Sequence, residues 1–505
     1  MKALPFLLLL ILACQPKENL PEGDFDILIT NGQIVDGSGS SAYLADILIN
    51  GDSISYIGKV DLSRIAAERT IDATGKHITP GFIDLHAHGN PLNNPDFSNF
   101  LAMGVTSIIL GQDGFSGSTS DLSTWFDQID SISTGVNIGT FVGHSTLRRL
   151  SGTNYDSVPS LEDFGTMKSI LKNSMQQGAL GLSTGLEYTP GTFAQADELH
   201  QLAEVVGNNG GIVMSHMRNE DDAFMESSIR ELLEQGRYCP VHISHIKVVY
   251  GKGQARANEL LALLDSARKS GLTITADQYP YNASYTGIAI VYPSWAKPPN
   301  NFELVLKTRK AELLSFLEKR VIQRNGPSST LIGSGSWQGM TLQDVADSLD
   351  KPFPEVLIEH FPPESVSGAY FVMDKELQEA LLLDSLTTVA SDGSPTMHHP
   401  RGYGSFTKVL RQALNNEIGI SLEEAVFKMS GLPASIIGIK NRGLLKVGMK
   451  ADVLVLDTAK VNAPASYQNP LKLATGVEFA FVNGEITIDE SQFTSKMNGR
   501  ILKKE

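Results

Sequence analysis

The chain has 505 residues, of which 41% are hydrophobic and 19% charged, a globular composition too long for a single simple core. Its formal net charge of −15 argues against nucleic acid, or an anionic membrane surface, as a partner. Only two cysteines occur, Cys14 and Cys239, which excludes a disulfide framework. We expect Cys239 to be a buried, small hydrophobic side chain.

The N-terminal segment has the pattern of a bacterial export signal. Met1-Lys2 precedes an apolar run that ends at Leu12, which is too short to span a bilayer because a spanning helix needs about 20 apolar residues. The residues that end in Cys14 resemble a lipobox, in which cleavage leaves the cysteine lipidated. We therefore expect residues 1–23 to be a lipoprotein signal and tether, and the protein to be exported and anchored facing the periplasm or cell exterior. An ordinary cleaved signal peptide is the alternative.

Both ends of the remaining chain read as β structure. Residues 25–71 form short alternating apolar runs, with hairpin-turn signals at Asn31-Gly32 and Asn50-Gly51. Residues 443–488 repeat the pattern, with a turn signal at Asn483-Gly484. These patterns predict a small β-sandwich built from both chain ends, residues 24–79 and 436–505.

The middle of the chain alternates apolar runs with amphipathic helical patterns, which is typical of βαβ units and a parallel sheet. Eight such runs predict an α/β fold, a (β/α)8 TIM-type barrel over residues 80–435 with its chemistry at the C-terminal strand ends. We number the predicted strands one to eight in chain order: Gly81–His88, Val105–Asp113, Val136–His144, Ala179–Thr184, Gly211–His216, Val241–His245, Thr273–Tyr279 and Leu386–Asp392.

The connection between strands seven and eight is far longer than an ordinary loop. It contains a charged helical pattern at residues 302–324 and a strand-like piece at residues 329–333. We predict an insertion, about residues 283–380, that sits over the mouth of the barrel.

Strand one ends in His86 and His88. Side chains alternate along a strand, so these two imidazoles face the same side. Two imidazoles aimed at one point suit a divalent metal, whereas unpaired polar groups in an apolar core would cost a few kcal/mol each. The pair therefore predicts one side of a metal site.

The other strand ends repeat this chemistry. Histidines or aspartates close most of the strands that follow: Asp113, His144, His216, His245, Asp277 and Asp392. Together they predict a His/Asp cluster suited to Zn²⁺ or a similar metal. We expect His144 to act through hydrogen bonding, and His242, three residues before His245, to face the opposite way and pack against a helix.

The chain is similar to a known family in several motifs. Residues 80–88 and Ser391-Asp392-Gly393 resemble the amidohydrolase superfamily. Further motifs resemble its N-acyl-D-amino-acid deacylases (D-aminoacylases): residues 185–191, 215–220, 244–247, 279–281 and 399–404. The likeness covers about residues 25–490. It implies a zinc-dependent enzyme that hydrolyses the linear amide bond of N-acyl-D-amino acids, or of peptides ending in a D-residue, and releases a carboxylate and the free D-amino acid.

The resemblance also implies residue roles. Metal ligands for one or two Zn²⁺ per chain are His86, His88, His216, His245, Asp392 and, where the family usually has cysteine, Asp113. Asp392 matches the catalytic carboxylate, and Arg401 matches a clamp for the substrate α-carboxylate. Lys247, Tyr279 and Ser284 fall near substrate-contacting positions. For Tyr188 and Arg218, substrate contact and a structural role, as a packed phenol or a salt bridge, stay open.

Two features depart from family patterns. Asp113 is a harder ligand than a thiolate, which we expect to shift metal preference or occupancy. Strand four has no lysine that could be carboxylated to bridge two metals, and Glu187 just beyond it is a weaker candidate bridge. That absence counts against dihydroorotase-like or hydantoinase-like enzymes of the lysine type.

Two alternatives remain open. One is a cyclic amidase, or another amidohydrolase such as a deaminase, on the same scaffold. The other is a lipoprotein that binds a ligand without catalysis. In the leading hypothesis the partner is a small N-acyl amino acid or short peptide, and the membrane is reached only through the lipid anchor.

Overall fold

The computed structural model of the protein describes residues 20–117 and 119–504. The predicted signal and the lipidation site at Cys14 lie outside these residues. Within them, no helix combines the length and apolar character that a membrane crossing requires.

Strands from both ends of the chain form one nine-stranded sheet. The two ends join where His77–Pro80 pairs antiparallel with Val453–Leu456. Side chains such as Ile29, Ile47 and Phe481 are fully buried in a shared apolar core. The strands are Gly23–Ile34, Tyr43–Asn50, Ser53–Gly58, Ile65–Asp72, His77–Pro80, Val453–Leu456, Val477–Val482, Glu485–Asp489 and Gln492–Phe493.

One predicted turn in this sheet is wrong. Asn50-Gly51 and Asn483-Gly484 lie at turns between strands, as expected, but Asn31-Gly32 lies inside the single strand Gly23–Ile34. Its pairing with the next strand shifts register between Ile29 and Gly32, and Asn31 has a φ of 58°. A dipeptide that favours positive φ therefore forms a bulge here, because the strand continues to pair on both sides of it.

The eight predicted parallel strands are all present. The first three form one sheet and the third to eighth another, with every neighbouring pair parallel and consecutive in the chain. The strands are Phe82–Asp84, Val105–Leu110, Asn137–Thr140 continued by Val142–Gly143, Gly181–Gly185, Ile212–His216, Val241–Ile243, Ile274–Gln278 and Thr387–Val389. The fold is therefore α/β, and the C-terminal ends of these strands meet on one side.

Helices connect these strands and cover them. In Leu161–Gln177, for example, the Ser160 hydroxyl accepts the Asp163 amide hydrogen bond at 3.1 Å, and Met167, Leu171 and Met175 form a buried stripe. The α-helices are Ser98–Ala102, Leu122–Ile132, His144–Ser151, Leu161–Gln177, Ala196–Asn208, Met225–Gln235, Gly253–Lys269, Lys375–Leu382, Arg401–Leu414, Leu422–Met429 and Gly431–Ile437. Short 3-10 helices are Gly191–Phe193 and Asp222–Phe224.

The long connection between the last two parallel strands folds around a core of its own. Leu313, Leu317, Val356 and Tyr370 are among its buried side chains. It contains an antiparallel sheet, Ser284–Gly287, Thr330–Ile332 and Ser367–Tyr370, α-helices Phe302–Gln323, Leu342–Leu349 and Phe353–His360, and 3-10 helices Ile288–Val291, Ser294–Ala296 and Pro327–Ser329. The helix Lys375–Leu382 does not belong to this core, because its Leu377 and Leu381 pack with Leu260 and Leu264 in the core between the helices and the parallel strands.

Candidate metal centre and substrate cavity

The ends of strands one, two and eight bring four metal-binding side chains together. His86 Nε2 lies 3.4 Å from Asp113 Oδ1 and 3.7 Å from Asp392 Oδ1. His88 Nε2 lies 3.1 Å from Asp392 Oδ1 and 3.5 Å from Asp113 Oδ2. The imidazole of His86 is fully buried, yet neither ring nitrogen has a hydrogen-bond partner among the described residues. Buried polar atoms are normally satisfied, so the chemistry of these nitrogens fits metal ligands.

The ends of strands five and six form a second group around the same aspartate. His216 Nδ1 lies 3.0 Å from His245 Nε2, and His245 Nε2 lies 3.3 Å from Asp113 Oδ1. In each group the potential ligand atoms lie within 4.8 Å of one another. Asp113 therefore occupies a bridging position between two potential metal sites.

Three of the cluster residues have an unusual backbone conformation. Asp113, His245 and Asp392 have φ values of 55°, 38° and 48°. Positive φ is uncommon for residues other than glycine, although aspartate, asparagine and histidine adopt it more readily than most. At these three positions the chain turns away from its strand, which directs the side chain across the strand ends. Such conformations are typical of functional sites.

The turn at His245 overturns the prediction for His242. We expected His242 to pack against a helix, but its Nε2 lies 2.9 Å from Asp277 Oδ2 and its Nδ1 2.6 Å from Thr275 Oγ1. Strand six ends at Ile243, so the alternation of faces does not extend to His245. Asp277 also accepts the backbone N–H of His245 at 2.7 Å and lies 3.6 Å from His86 Nδ1. Through these contacts Asp277 holds the backbone of His245 and faces the ring of His86, so it supports the cluster.

Opposite charges set the protonation of the cluster. Burial alone would raise the pKa of the Asp113 and Asp392 carboxyls, but His86 lowers the first and Arg401 the second well below the ordinary value. Burial lowers the pKa of His86, but Asp113 and Asp277 outweigh it and raise that pKa well above its ordinary value. The carboxylates thus attract positive charge to His86, and a metal cation could take the place of its proton.

A cavity of about 430 Å³ opens from this cluster. It is lined by five predicted substrate residues, Tyr188, Lys247, Tyr279, Ser284 and Arg401. Arg401 is buried, its Nη1 donates to Asp392 Oδ2 at 2.8 Å, and its Nε has no partner among the described residues. Lys247 donates to Glu220 at 2.7 Å, and Glu220 raises the pKa of Lys247 although burial opposes this. With Arg324, which is also buried, three cations line the cavity.

The insertion contacts several residues in and around this cavity. Ser284 begins the insertion strand that pairs with Tyr370. The Tyr188 hydroxyl accepts a hydrogen bond from Thr286 at 3.3 Å, and its ring lies 4.4 Å from that of His216. His399 Nε2 donates to the Ala283 carbonyl at 3.1 Å, while its Nδ1 accepts the Arg401 backbone N–H. The insertion is thus attached directly to the residues that position Arg401.

Two strand-end residues lie elsewhere. Arg218 forms an ion pair with Glu231 at 2.8 Å and donates to the carbonyls of Thr192 and Ala194. Its guanidinium is occupied by these partners, so the structure does not bring it into the cavity. His144 is buried against Glu198 at 2.8 Å, which agrees with a hydrogen-bonding role.

Two glutamates complete the surroundings of His216 and His245. Glu187 Oε2 lies 3.1 Å from His216 Nε2. Glu220, to which the sequence analysis assigned no role, lies 3.2 Å from His245 Nδ1, and Lys247 lowers its pKa although burial opposes this. The same nitrogen of His245 lies 2.7 Å from the Lys247 ammonium, which also donates to Glu220. Lys247 and Glu220 therefore both contact His245 at Nδ1, while Nε2 faces Asp113. Glu220 follows strand five by four residues, so a search of strand ends misses it.

Comparisons with known proteins agree with this geometry. A family model described as "Amidohydrolase family" matches residues 376–488. N-acyl-D-glutamate deacylase and D-aminoacylase from Alcaligenes xylosoxydans xylosoxydans are each 30% identical, over 95% of this chain and 97% of theirs.

Solved structures of such proteins superpose over nearly the whole chain. N-acyl-D-glutamate deacylase from Bordetella bronchiseptica, complexed with zinc and a phosphonate mimic of the tetrahedral intermediate, has a TM-score of 0.83 at 29% identity, covering 95% of this chain and 100% of that one. A D-aminoacylase studied for the role of its binuclear metal centre has a TM-score of 0.81 at 28% identity, with the same coverage.

Proposed function

The chain belongs to the amidohydrolase family of N-acyl-D-glutamate deacylase and D-aminoacylase, and from this we propose that it is a metal-dependent deacylase of N-acyl-D-amino acids. Its substrates would also include short peptides that end in a D-residue, and its products are a carboxylate and the free D-amino acid. The observation that carries the proposal is the buried Arg401, which contacts Asp392 at 2.8 Å beside the His/Asp cluster. This places a carboxylate-binding cation next to an acid–base group and a metal site.

The residues fit zinc. The unpartnered nitrogens of His86 and the two groups that share Asp113 offer imidazole and carboxylate ligands. His86, His88, Asp113 and Asp392 would hold one ion, and Asp113, His216 and His245 a second, so we propose one or two Zn²⁺ per chain. When bound, zinc supplies Lewis-acid chemistry that activates water and polarises the scissile carbonyl.

Asp392 is the proposed general base and acid. Its carboxylate takes a proton from the attacking water and hands it to the nitrogen of the leaving amine as the amide C–N bond breaks. Contacts with His88 at 3.1 Å and Arg401 at 2.8 Å hold the carboxylate at the junction of cluster and cavity.

Arg401 is the proposed clamp for the substrate α-carboxylate. Its planar guanidinium can bind a carboxylate through two parallel hydrogen bonds. Lys247 and Tyr279 line the same cavity, and the Tyr279 ring centroid lies 4.7 Å from the guanidinium carbon. A substrate carboxylate would replace Asp392 as a partner of Arg401, which leaves Asp392 free for proton transfer.

We expect Arg401→Met to lower kcat/KM by about 10²-fold or more for N-acyl-D-amino acids, because a buried carboxylate loses its charged donor. The loss should largely disappear for the corresponding N-acyl-D-amino-acid amides, which carry no α-carboxylate. Steady-state kinetics on both substrate series measures this. Arg218→Met is the matched control and should change kcat/KM little, since Arg218 lies outside the cavity. Equal losses on both series would contradict the clamp.

Metal dependence and substrate class are tested together. Removal of metal with a chelator is expected to abolish hydrolysis of N-acetyl-D-amino acids, and added Zn²⁺ to restore it. The D-isomers should be preferred over the L-isomers. Full activity after complete chelation would contradict the proposal. Turnover of dihydroorotate or hydantoins alone would favour a cyclic amidase. Stoichiometric metal binding without turnover of any amide would favour a lipoprotein that binds a ligand without catalysis.

We also propose that the parallel strands close into a (β/α)8 barrel, residues 80–435, with the insertion over its mouth and a sandwich from residues 24–79 and 436–505. Hydrogen bonds between strands one and eight support closure: Asp392 N donates to His86 O at 2.8 Å and His88 N to Gly393 O at 2.7 Å. Strand three supports it too, since its two halves pair with strands two and four.

The proposed location is a membrane surface facing the periplasm or cell exterior, reached through a lipid on Cys14. Cys14→Ser is expected to move the protein from the membrane fraction to the soluble fraction and to abolish incorporation of labelled fatty acid. Cys239→Ser is the matched control, because that thiol is buried and burial raises its pKa to about 12. Wild-type protein in the cytosolic fraction would contradict the proposal.

A further inference from the structure

A second cavity, of about 580 Å³, lies next to the substrate cavity. Tyr279 lines both cavities. The wall of the second cavity also includes Tyr281, Gln378 and Lys408. Nothing in the proposed reaction uses these three residues.

Hydrogen-bond donors in this wall lack acceptors. Tyr281 Oη and Gln378 Nε2 are buried and have no hydrogen-bond partner among the described residues. The orientation of the Gln378 amide follows from its Oε1, which accepts from Gln278 Nε2 at 2.6 Å and leaves Nε2 as the free donor. Buried donors without acceptors are costly, so their presence in one cavity wall points to a ligand that accepts hydrogen bonds.

Lys408 adds a positive charge to this wall. Its ammonium lies 4.1 Å from the centroid of the Tyr281 ring. Burial lowers the pKa of Lys408 to about 8; Lys375 also lowers this pKa and Glu379 raises it. The side chain is therefore mostly cationic at neutral pH. Glu379 contacts the exposed Lys375 at 3.5 Å. Within the part of the chain that the structure describes, no carboxylate lies within 4.0 Å of Lys408 Nζ.

The rest of the wall is mixed: Pro280, Leu382 and Ile418 form an apolar part, and beside them lie Gln278, Asn282, Gln412 and the Lys375–Glu379 ion pair. A ligand that matches the cavity therefore combines an anionic acceptor with a short apolar part. We propose that this cavity is a second binding site, and that it takes a small aliphatic monocarboxylate. Its carboxylate contacts Lys408, Tyr281 and Gln378, and its chain packs against the apolar side.

The site is linked to the substrate cavity through two elements. Arg401 and Lys408 lie on the same helix, Arg401–Leu414. The rings of Tyr279 and Tyr281 both lie near His399, at 6.4 and 5.7 Å between centroids. A short monocarboxylate is also the class of acid that the proposed deacylation releases. That link rests on the proposed function, whereas binding at the site does not.

Butyrate is the probe. A crystal of the wild-type protein soaked in butyrate is expected to show it in the second cavity, with its carboxylate within hydrogen-bond distance of Lys408 Nζ. In calorimetric titrations, Lys408→Met should weaken this binding at least about tenfold and Tyr281→Phe severalfold, because each removes a donor to a charged group. Butylamine, which has no anionic group, should not bind there.

Lys496→Met is the matched control. Its side chain is 64% exposed and pairs with Glu485 away from the second cavity, so butyrate affinity should stay at the wild-type value. Circular dichroism checks that each variant is folded, and Tyr281→Phe decides the question if Lys408→Met does not fold. Butyrate found only in the substrate cavity, unchanged affinity in the folded variants, or equal binding of butylamine would overturn the proposal. Because these measurements need no turnover, a failure of the deacylase proposal is distinguishable from a failure of this one.

Discussion

An Asp392→Asn variant is expected to lose about 10²–10⁴ in kcat for N-acyl-D-amino acids, the usual contribution of a positioned general acid–base group. Asparagine keeps the shape of the side chain and can still accept a hydrogen bond from Arg401, but its amide cannot take up a proton. Steady-state kinetics with N-acetyl-D-amino acids measures the loss. Metal content per chain is measured on the same samples, because Asp392 also belongs to the first metal group.

Comparison with a second variant separates catalysis from stability. Asp265→Asn removes a carboxylate that is 56% exposed on the helix Gly253–Lys269, so its kcat should match that of the wild type. A loss in Asp392→Asn at wild-type metal content assigns the effect to proton transfer. Wild-type turnover by Asp392→Asn would contradict the assigned role.

An Asp113→Ala variant is expected to lose metal from both groups. Its carboxylate lies 3.4 Å from His86, 3.5 Å from His88 and 3.3 Å from His245, so it is the residue the two groups share. Loss of a supporting residue alone typically weakens metal binding by about 10–100-fold, and loss of a direct charged ligand should cost at least as much. Metal analysis after dialysis, together with activity, measures the effect.

Two comparison variants make this prediction specific. His86→Ala removes a ligand from the first group only, so it should abolish activity while the His216 and His245 group keeps its metal. Asp113→Cys places a thiolate at this position and should retain metal, because zinc binds thiolates well. Wild-type metal content in Asp113→Ala would show that the aspartate does not join the two groups.

Local patterns led to most of the cluster. His86 and His88 stand one residue apart on a predicted strand, and Asp113, His216, His245 and Asp392 each close another predicted strand, so a rule about strand ends finds them. Local patterns failed where the backbone departs from regular geometry. His242 and Asn31-Gly32 were misplaced because a positive φ nearby changes the facing of side chains or forms a bulge. Neither torsion angle can be read from periodicity.

Family resemblance pointed to Arg401, Lys247, Tyr279 and Ser284, which line one cavity in the structure, but it left Arg218 open. The structure decides this case through Glu231 and two backbone carbonyls, which surround the guanidinium of Arg218. These partners come from segments distant in the sequence. Their contacts depend on how the helices pack, and a motif match does not describe that packing.

The sequence by itself determined the α/β class, the order of the eight parallel strands, the metal-binding chemistry and the family. These properties depend on alternation of apolar residues and on short motifs, both of which are local. Only the tertiary structure decided that Asp113 lies between two groups, that Glu220 lies beside His245, and that Lys408 and Tyr281 share a second cavity. Such contacts join residues far apart in the chain, and they depend on side-chain packing and on backbone angles at the strand ends.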